Sequence, residues 1–120
     1  MDHHQLVLPE FLNDQGNLFG GYLLKWIDEF AYITVNLDYP GNRFVTIGLN
    51  NVVFKHAIKK GQILRFEVNQ TRLGNTSVEY LVQVFGEREL NERQKVLFET
   101  KITFVNVDED DQNQPICQES

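Results

Sequence analysis

The chain has 120 residues, enough for one domain of ordinary size and too few for a second core, so residues 1–120 are read as one domain with an acidic tail from about 109 to 120. Eleven Lys and Arg against seventeen Asp and Glu leave a formal charge of −6, which repels a polyanion and argues against general nucleic-acid binding. A hydrophobic fraction of 42%, with nine Phe and three Pro, excludes a disordered or collagen-like chain.

Cys117 is the single cysteine, which excludes an intramolecular disulfide and a cysteine-based zinc site and fits a reducing compartment. The start, MDHHQLVLPE, lacks the basic and apolar regions of a signal peptide, and no apolar run is long enough to cross a bilayer. A cytoplasmic protein that does not enter a membrane is therefore expected.

In chain order, a short strand comes first, with His3 and His4 at a terminus expected to be mobile. Pro9 to Gly21 carries Asn13, Asp14, Gly16, Asn17, Gly20 and Gly21, which is the chemistry of a loop. From Tyr22 to about Asn36 the residues Leu23, Leu24, Trp26, Ile27, Phe30, Ala31, Ile33 and Val35 spread apolar surface around nearly the whole circumference of a helix. Such a helix must be enclosed by other structure. Asp38, Pro40, Gly41 and Asn42 end it.

After Arg43 the period changes to that of strands. Val45, Ile47, Leu49, Val52 and Phe54 form one run, and Ile63, Leu64, Phe66 and Val68 the next, separated at Lys59-Lys60-Gly61 and expected to pair as a hairpin. Ser77 to Phe85 and Val96 to Val107 are further strands, divided by Gly74-Asn75 and by the charged segment from Gly86 to Gln94. Residues 109–120 have few apolar anchors and are expected to be partly disordered. The outcome is an α+β architecture: an antiparallel sheet of about five strands, curved around one long apolar helix. Its exposed edges invite pairing between two copies.

The most informative stretch is NDQGNLFGGYLLKWIDEF, Asn13 to Phe30, which places a glycine pair at the start of an apolar helix and a carboxylate within it. The N–H groups of Gly20, Gly21 and Tyr22 have no partner inside the helix and can polarise a carbonyl oxygen. Asp28, two turns on, is costly in an apolar helix unless it reaches water, a partner or a substrate, and general-base chemistry is one reason for it. A structural role competes, since Asp28 can share a polar stripe with Lys25 and Glu29. Asn13 sits in ordinary turn sequence, where an asparagine bonds its own backbone. His56 heads a local basic cluster with Lys55, Lys59 and Lys60, and the Arg72 to Ser77 stretch combines an Arg, backbone amides and hydroxyls, a set that reads first as a turn and also suits a phosphate.

The segment from Asn13 to Glu29 resembles the signature of hotdog-fold acyl-CoA thioesterases of the cytosolic acyl-CoA hydrolase type: an Asn, a Gly three residues later, a Phe-Gly-Gly, then an Asp in the helix. VTIGLNNVVFKHAIKKGQIL, RLGNTSVEYLVQV and KITFVNVDED are similar to the family's later strands and turns, so nearly the whole chain is covered. The resemblance implies a hotdog fold and hydrolysis of a fatty acyl-CoA to free acid and CoA. Asp28 then falls on the catalytic carboxylate, as general base or nucleophile, Asn13 on an asparagine supplied by the partner protomer, and Gly20 and Gly21 on the oxyanion site. His56, Lys59, Arg72, Gly74, Asn75, Thr76 and Ser77 fall on positions that hold the nucleotide and phosphates of coenzyme A. Where relatives have a basic residue followed by Pro, this chain departs with His56-Ala57. The implied assembly is a homodimer that associates into tetramers or hexamers, and neither a metal nor a separate cofactor is expected, coenzyme A being part of the substrate. Two other readings stand beside it: a non-catalytic module binding acyl-CoA or acyl carrier, and a hydratase, which would need His56, the sole internal histidine, as its proton carrier.

Overall fold

A computed structural model describes residues 1–118. Five strands form one antiparallel sheet: β1 Asp2–Leu6, β2 Phe44–Phe54, β3 Ile63–Leu73, β4 Ser77–Gly86 and β5 Val96–Asn106, in the spatial order β1-β3-β4-β5-β2. The one α-helix among the described residues, α1 Gly20–Asp38, packs on one face. Period-two alternation creates that face. Leu64, Phe66 and Val68 of β3, Val78, Tyr80, Val82 and Val84 of β4, and Ile102 and Phe104 of β5 are buried under the helix. Arg65, Glu67, Glu79, Gln83, Glu99 and Lys101 alternate with them on the opposite face.

The helix contributes Leu23, Trp26, Ile27, Ala31, Thr34 and Val35 to this core, at the three- and four-residue spacing of one face. Each fully buried large apolar side chain is worth roughly 1.5–3 kcal/mol, so packing against the sheet far outweighs the intrinsic propensity of this β-branched and aromatic sequence. The helix is longer than the sequence suggests by two residues at each end. Phe19 O accepts from the amides of Tyr22 and Leu23, closing a first turn that includes both glycines. At the other end Asn42 Nδ2 donates 2.9 Å to Tyr39 O, and Gly41 takes φ +85°.

Three expectations need correction. β2 and β3 do not form a hairpin, because β2 is an edge strand beside β5 and β3 lies across the sheet between β1 and β4. The connecting residues 55–62 cross the end of the sheet instead, anchored by buried Ile58, whose carbonyl accepts from Leu18 N at 2.7 Å. The crossing is favoured because β4 and β5, both rich in large apolar residues, take the central places, leaving the more exposed β2 at the edge.

The terminal histidines are held in place, contrary to the expected mobility, since β1 pairs with β3 from Asp2↔Glu67 to Leu6↔Ile63. His3 stacks on Phe30 with ring centroids 4.7 Å apart, and His4 lies 3.9 Å from Glu87. The tail is anchored as well. Ile116 is buried, its N–H bonds Asn75 O at 2.9 Å, and Asn106 Nδ2 donates 3.0 Å to Pro115 O. The expected disorder does not hold for residues 109–118; Glu119 and Ser120 lie outside the described residues.

One face of the helix is left open. On the stripe that carries Asp28, Tyr32 is 48% exposed, and Ile47 of β2, next in sequence to Thr46, is 61% exposed. A single chain therefore does not enclose the helix as its sequence demands, and β2 offers a free edge next to the uncovered surface.

Candidate active site

The glycine pair opens α1 with no side-chain cap from Phe19. Among the described residues, the N–H groups of Gly20 and Gly21 find no acceptor, and the positive end of the helix dipole adds to their field. Tyr22 does not join them as expected, because its amide bonds Phe19 O at 3.1 Å. An aromatic ring stands against each glycine. A Cβ on Gly20 would meet Phe54 Cζ at 3.7 Å, and one on Gly21 would meet Phe19 Cε1 at 2.8 Å, closer than a real methyl tolerates. Glycine at position 21 thus lets the Phe19 ring lie over the first turn.

Asp28 follows on the same stripe as Gly21, Lys25 and Tyr32, at helical spacing. Lys25 pairs with Glu29, at 3.7 Å, and not with Asp28. Asp28 Oδ1 instead accepts a hydrogen bond of 2.7 Å from Thr46 Oγ1 of β2. The competing structural role, a helix-surface ion pair, therefore falls to Glu29. Asp28 is exposed on the open face of the chain, with Tyr32 and Ile47 among the exposed apolar residues of α1 and β2. Thr46 is the residue that reasoning from sequence missed: a threonine inside a strand carries no local sign of a partner 18 positions away.

Asn13 lies in the loop before the helix. Its Oδ1 accepts from the amides of Gln15 at 2.9 Å and Asn17 at 3.1 Å, as a turn asparagine does. Its carboxamide is fixed by these bonds, and only the NH2 end remains as a donor to a further group.

Two hollows flank the glycine pair. One, of about 300 Å³, lies among Leu18, Leu23, Phe54 and Ile58 and is also lined by His56. The other, of about 250 Å³, lies among Phe19, Gly21, Tyr22 and Lys25. Asp28 lines neither within one chain.

The residues expected at the nucleotide fall into two groups that one chain keeps apart. The amides of Lys55 and His56 bond Leu97 O at one end of β5, whereas Ser77 is paired with Val105 at the other, roughly 25 Å away at about 3.3 Å per strand residue. Lys59 Nζ donates to Asn17 Oδ1. In the second group, Gly74 N bonds Ser77 O at 2.7 Å, Asn75 O accepts from Ile116 and Thr76 O accepts from Asn106, so this turn is tied to its own hairpin and to the tail. Arg72 stands exposed on β3 just before it.

A family model described as the thioesterase superfamily matches residues 15–93. Mouse acyl-coenzyme A thioesterase 11 is 36% identical over 101 residues, which are 84% of this chain and 17% of that protein. Mouse acetyl-coenzyme A thioesterase is 30% identical over 101 residues, 84% of this chain and 18% of that protein. The chain thus spans less than a fifth of the length of these relatives. Among solved structures, the acyl-CoA hydrolase of Staphylococcus aureus, in complex with butyryl coenzyme A, coenzyme A and coenzyme A disulfide, superposes with a TM-score of 0.87 at 28% identity, covering 98% of this chain and 71% of that one. A hexameric hotdog fold thioesterase of Campylobacter jejuni gives a TM-score of 0.81 at 30% identity, covering 96% and 88%. The curved sheet around one helix is the hotdog fold.

Proposed function

The chain belongs to the thioesterase superfamily, and on that basis we propose that it hydrolyses the thioester of a fatty acyl-coenzyme A, releasing the free acid and CoA. One observation carries the reading: an exposed carboxylate, Asp28, held by Thr46 on the helix whose first two amides, at Gly20 and Gly21, are free to receive an oxyanion. The thioester carbonyl oxygen sits at those amides. Asp28 takes a proton from water, the resulting hydroxide attacks the carbonyl carbon, and the C–S bond breaks as the thiolate leaves and is protonated. Asn13 of a second copy, through its NH2 end, places the water or the thioester. No separate cofactor enters this mechanism.

A homodimer follows from the same reading. The open face around Tyr32 and Ile47 and the free edge of β2 are covered by a second chain, which desolvates Asp28 and brings the partner's loop toward it. Dimers associate further into tetramers or hexamers, and the two separated groups, His56 with Lys59 and Arg72 with Gly74 to Ser77, then hold nucleotide and phosphates contributed across chains. No helix among the described residues is long and apolar enough to cross a membrane; the proposed site of action is the cytoplasm.

Thiol release from a panel of acyl-CoA esters tests the proposal. Wild-type protein turns over at least one ester, and Asp28→Asn lowers kcat by three orders of magnitude or more while keeping the oligomer seen by light scattering. Undiminished turnover by Asp28→Asn removes this residue from the chemistry. A single turnover in ¹⁸O-labelled water yields labelled acid; unlabelled acid from the first turnover would instead make Asp28 the nucleophile.

A further inference from the structure

The smaller hollow, about 250 Å³ among Phe19, Gly21, Tyr22 and Lys25, adjoins Gly21, one of the two amides without an acceptor among the described residues. Its walls are aromatic. Phe19 and Tyr22 meet edge to face with centroids 6.2 Å apart, and the Phe19 ring lies so close over Gly21 that a Cβ there would meet it at 2.8 Å. Against these rings stands one charged side chain, Lys25, the sole cation that α1 carries.

Helical spacing sets where that charge falls. Lys25 comes one turn after Gly21, roughly 6 Å along the axis at about 1.5 Å per residue, and three residues before Asp28 on the same stripe. Helical side chains lean toward the N-terminus, which lays Lys25 along the turn that holds the Gly21 amide, in the wall of the same hollow. Pairing with Glu29 does not tie it down: at 3.7 Å, with the two side chains 63% and 52% exposed, the pair is held loosely. The proposed reaction builds its charge at this place. Attack on a thioester turns a neutral carbonyl oxygen into an anion, and the formal charge of −6 on the chain opposes that anion.

We propose that Lys25 is a catalytic residue, its ammonium group facing the oxyanion that forms at the Gly20 and Gly21 amides. The inference rests on the hydrolase reading and adds a third partner for the oxyanion. No proton moves through Lys25. Water gives its proton to Asp28, hydroxide bonds the carbonyl carbon, and the carbonyl electron pair moves to oxygen against the ammonium. When that pair returns, the C–S bond breaks with its electrons on sulfur, which takes the proton held by Asp28. The charge serves only while the tetrahedral species exists, so its loss lowers kcat and leaves KM. Aromatic walls on one side strengthen the interaction, and solvent on the other limits it.

Steady-state kinetics on the intact oligomer test it, with the acyl-CoA that turns over fastest and the N-acetylcysteamine thioester of the same acid, which lacks every phosphate. Lys25→Met lowers kcat/KM by about ten- to a hundredfold for both esters, and for the CoA ester the loss is in kcat. This is less than the roughly hundred- to thousandfold loss typical of a donor inside an oxyanion site, because Lys25 is largely exposed. Lys25→Arg restores most of the rate, Glu29→Gln keeps full kcat, and the acid limb of the kcat profile stays at its wild-type position. A loss confined to the CoA ester, or seen in KM alone, makes Lys25 a phosphate contact and overturns the assignment. A shifted acid limb with an unchanged plateau, which makes it act through Asp28, overturns it too, as does an equal loss in Glu29→Gln, which makes the ion pair the cause. Wild-type protein that hydrolyses no ester brings down the hydrolase reading and this one with it; an active wild type beside an undiminished Lys25→Met brings down this one alone.

Discussion

Thr46 Oγ1 and Asp28 Oδ1, 2.7 Å apart, join the edge strand β2 to helix α1 at the proposed reacting group. A hydrogen bond to a carboxylate is worth about 1.5–3 kcal/mol, and here it fixes which way the acid faces. Thr46→Val keeps the shape and loses the donor. We expect kcat to fall about ten- to a hundredfold with little change in KM, and Thr46→Ser to restore most of it. Steady-state kinetics of the two variants decides, and a valine variant with full kcat would show that Thr46 does not orient the acid.

The open face makes a separate statement about assembly. Ile47 is a large apolar side chain, 61% exposed, on a strand whose outer edge has no neighbouring strand among the described residues. Ile47→Asp should give monomers by size-exclusion chromatography with light scattering and lose turnover at the same time, because a charge there is desolvated in a dimer and solvated in a monomer. An Ile47→Asp protein that remains oligomeric would exclude this face as the interface.

Acid sensitivity should begin at His3. Burial against Phe30 holds its imidazole below the ordinary value of 6.5, where Nε2 lies 3.0 Å from Thr34 Oγ1. The unfolded chain then binds the proton more readily than the folded one. This contribution to stability is fully present above that ordinary value and is lost as pH falls from there through the lower folded value. Wild-type protein should lose more stability than His3→Gln between pH 7 and the lower value, as read by urea denaturation. Parallel curves for the two proteins would show that His3 is not responsible.

The tail should matter for stability. Ile116 is 8% exposed and its segment ties Asn75, Asn106 and Asn42 together. Ile116→Ala is expected to cost about 2 kcal/mol, at the low end for a buried isoleucine because the residue lies at the rim of the core. Chemical denaturation measures it, and a change below the error of the method would mean that the docked tail contributes nothing.

How much of this was legible beforehand differs by element. β4 and β5 were readable almost to the residue, since their alternation is strong and their neighbours are charged or turn-forming. The helix was legible too, though its first turn was placed late because glycines give no periodic signal. The pairing of β2 is not legible in the sequence: proximity favours a hairpin, while the closure of the sheet puts β3 and β2 on opposite sides of β4 and β5. His3, Ile116 and Thr46 were overlooked or misjudged because each acts through a partner distant in sequence.

The sequence by itself determined the apolar helix opened by Gly20 and Gly21, the carboxylate at Asp28, and the alternation that makes a one-faced sheet. These are properties of residue type and local period, and they survive whatever the chain does at a distance. Only the tertiary structure decided that Thr46, rather than Lys25, holds Asp28, and that Tyr32 and Ile47 stay uncovered. Those outcomes depend on which strand ends at the edge, and that is settled when non-local contacts close the core, a step to which no single stretch of sequence holds the key.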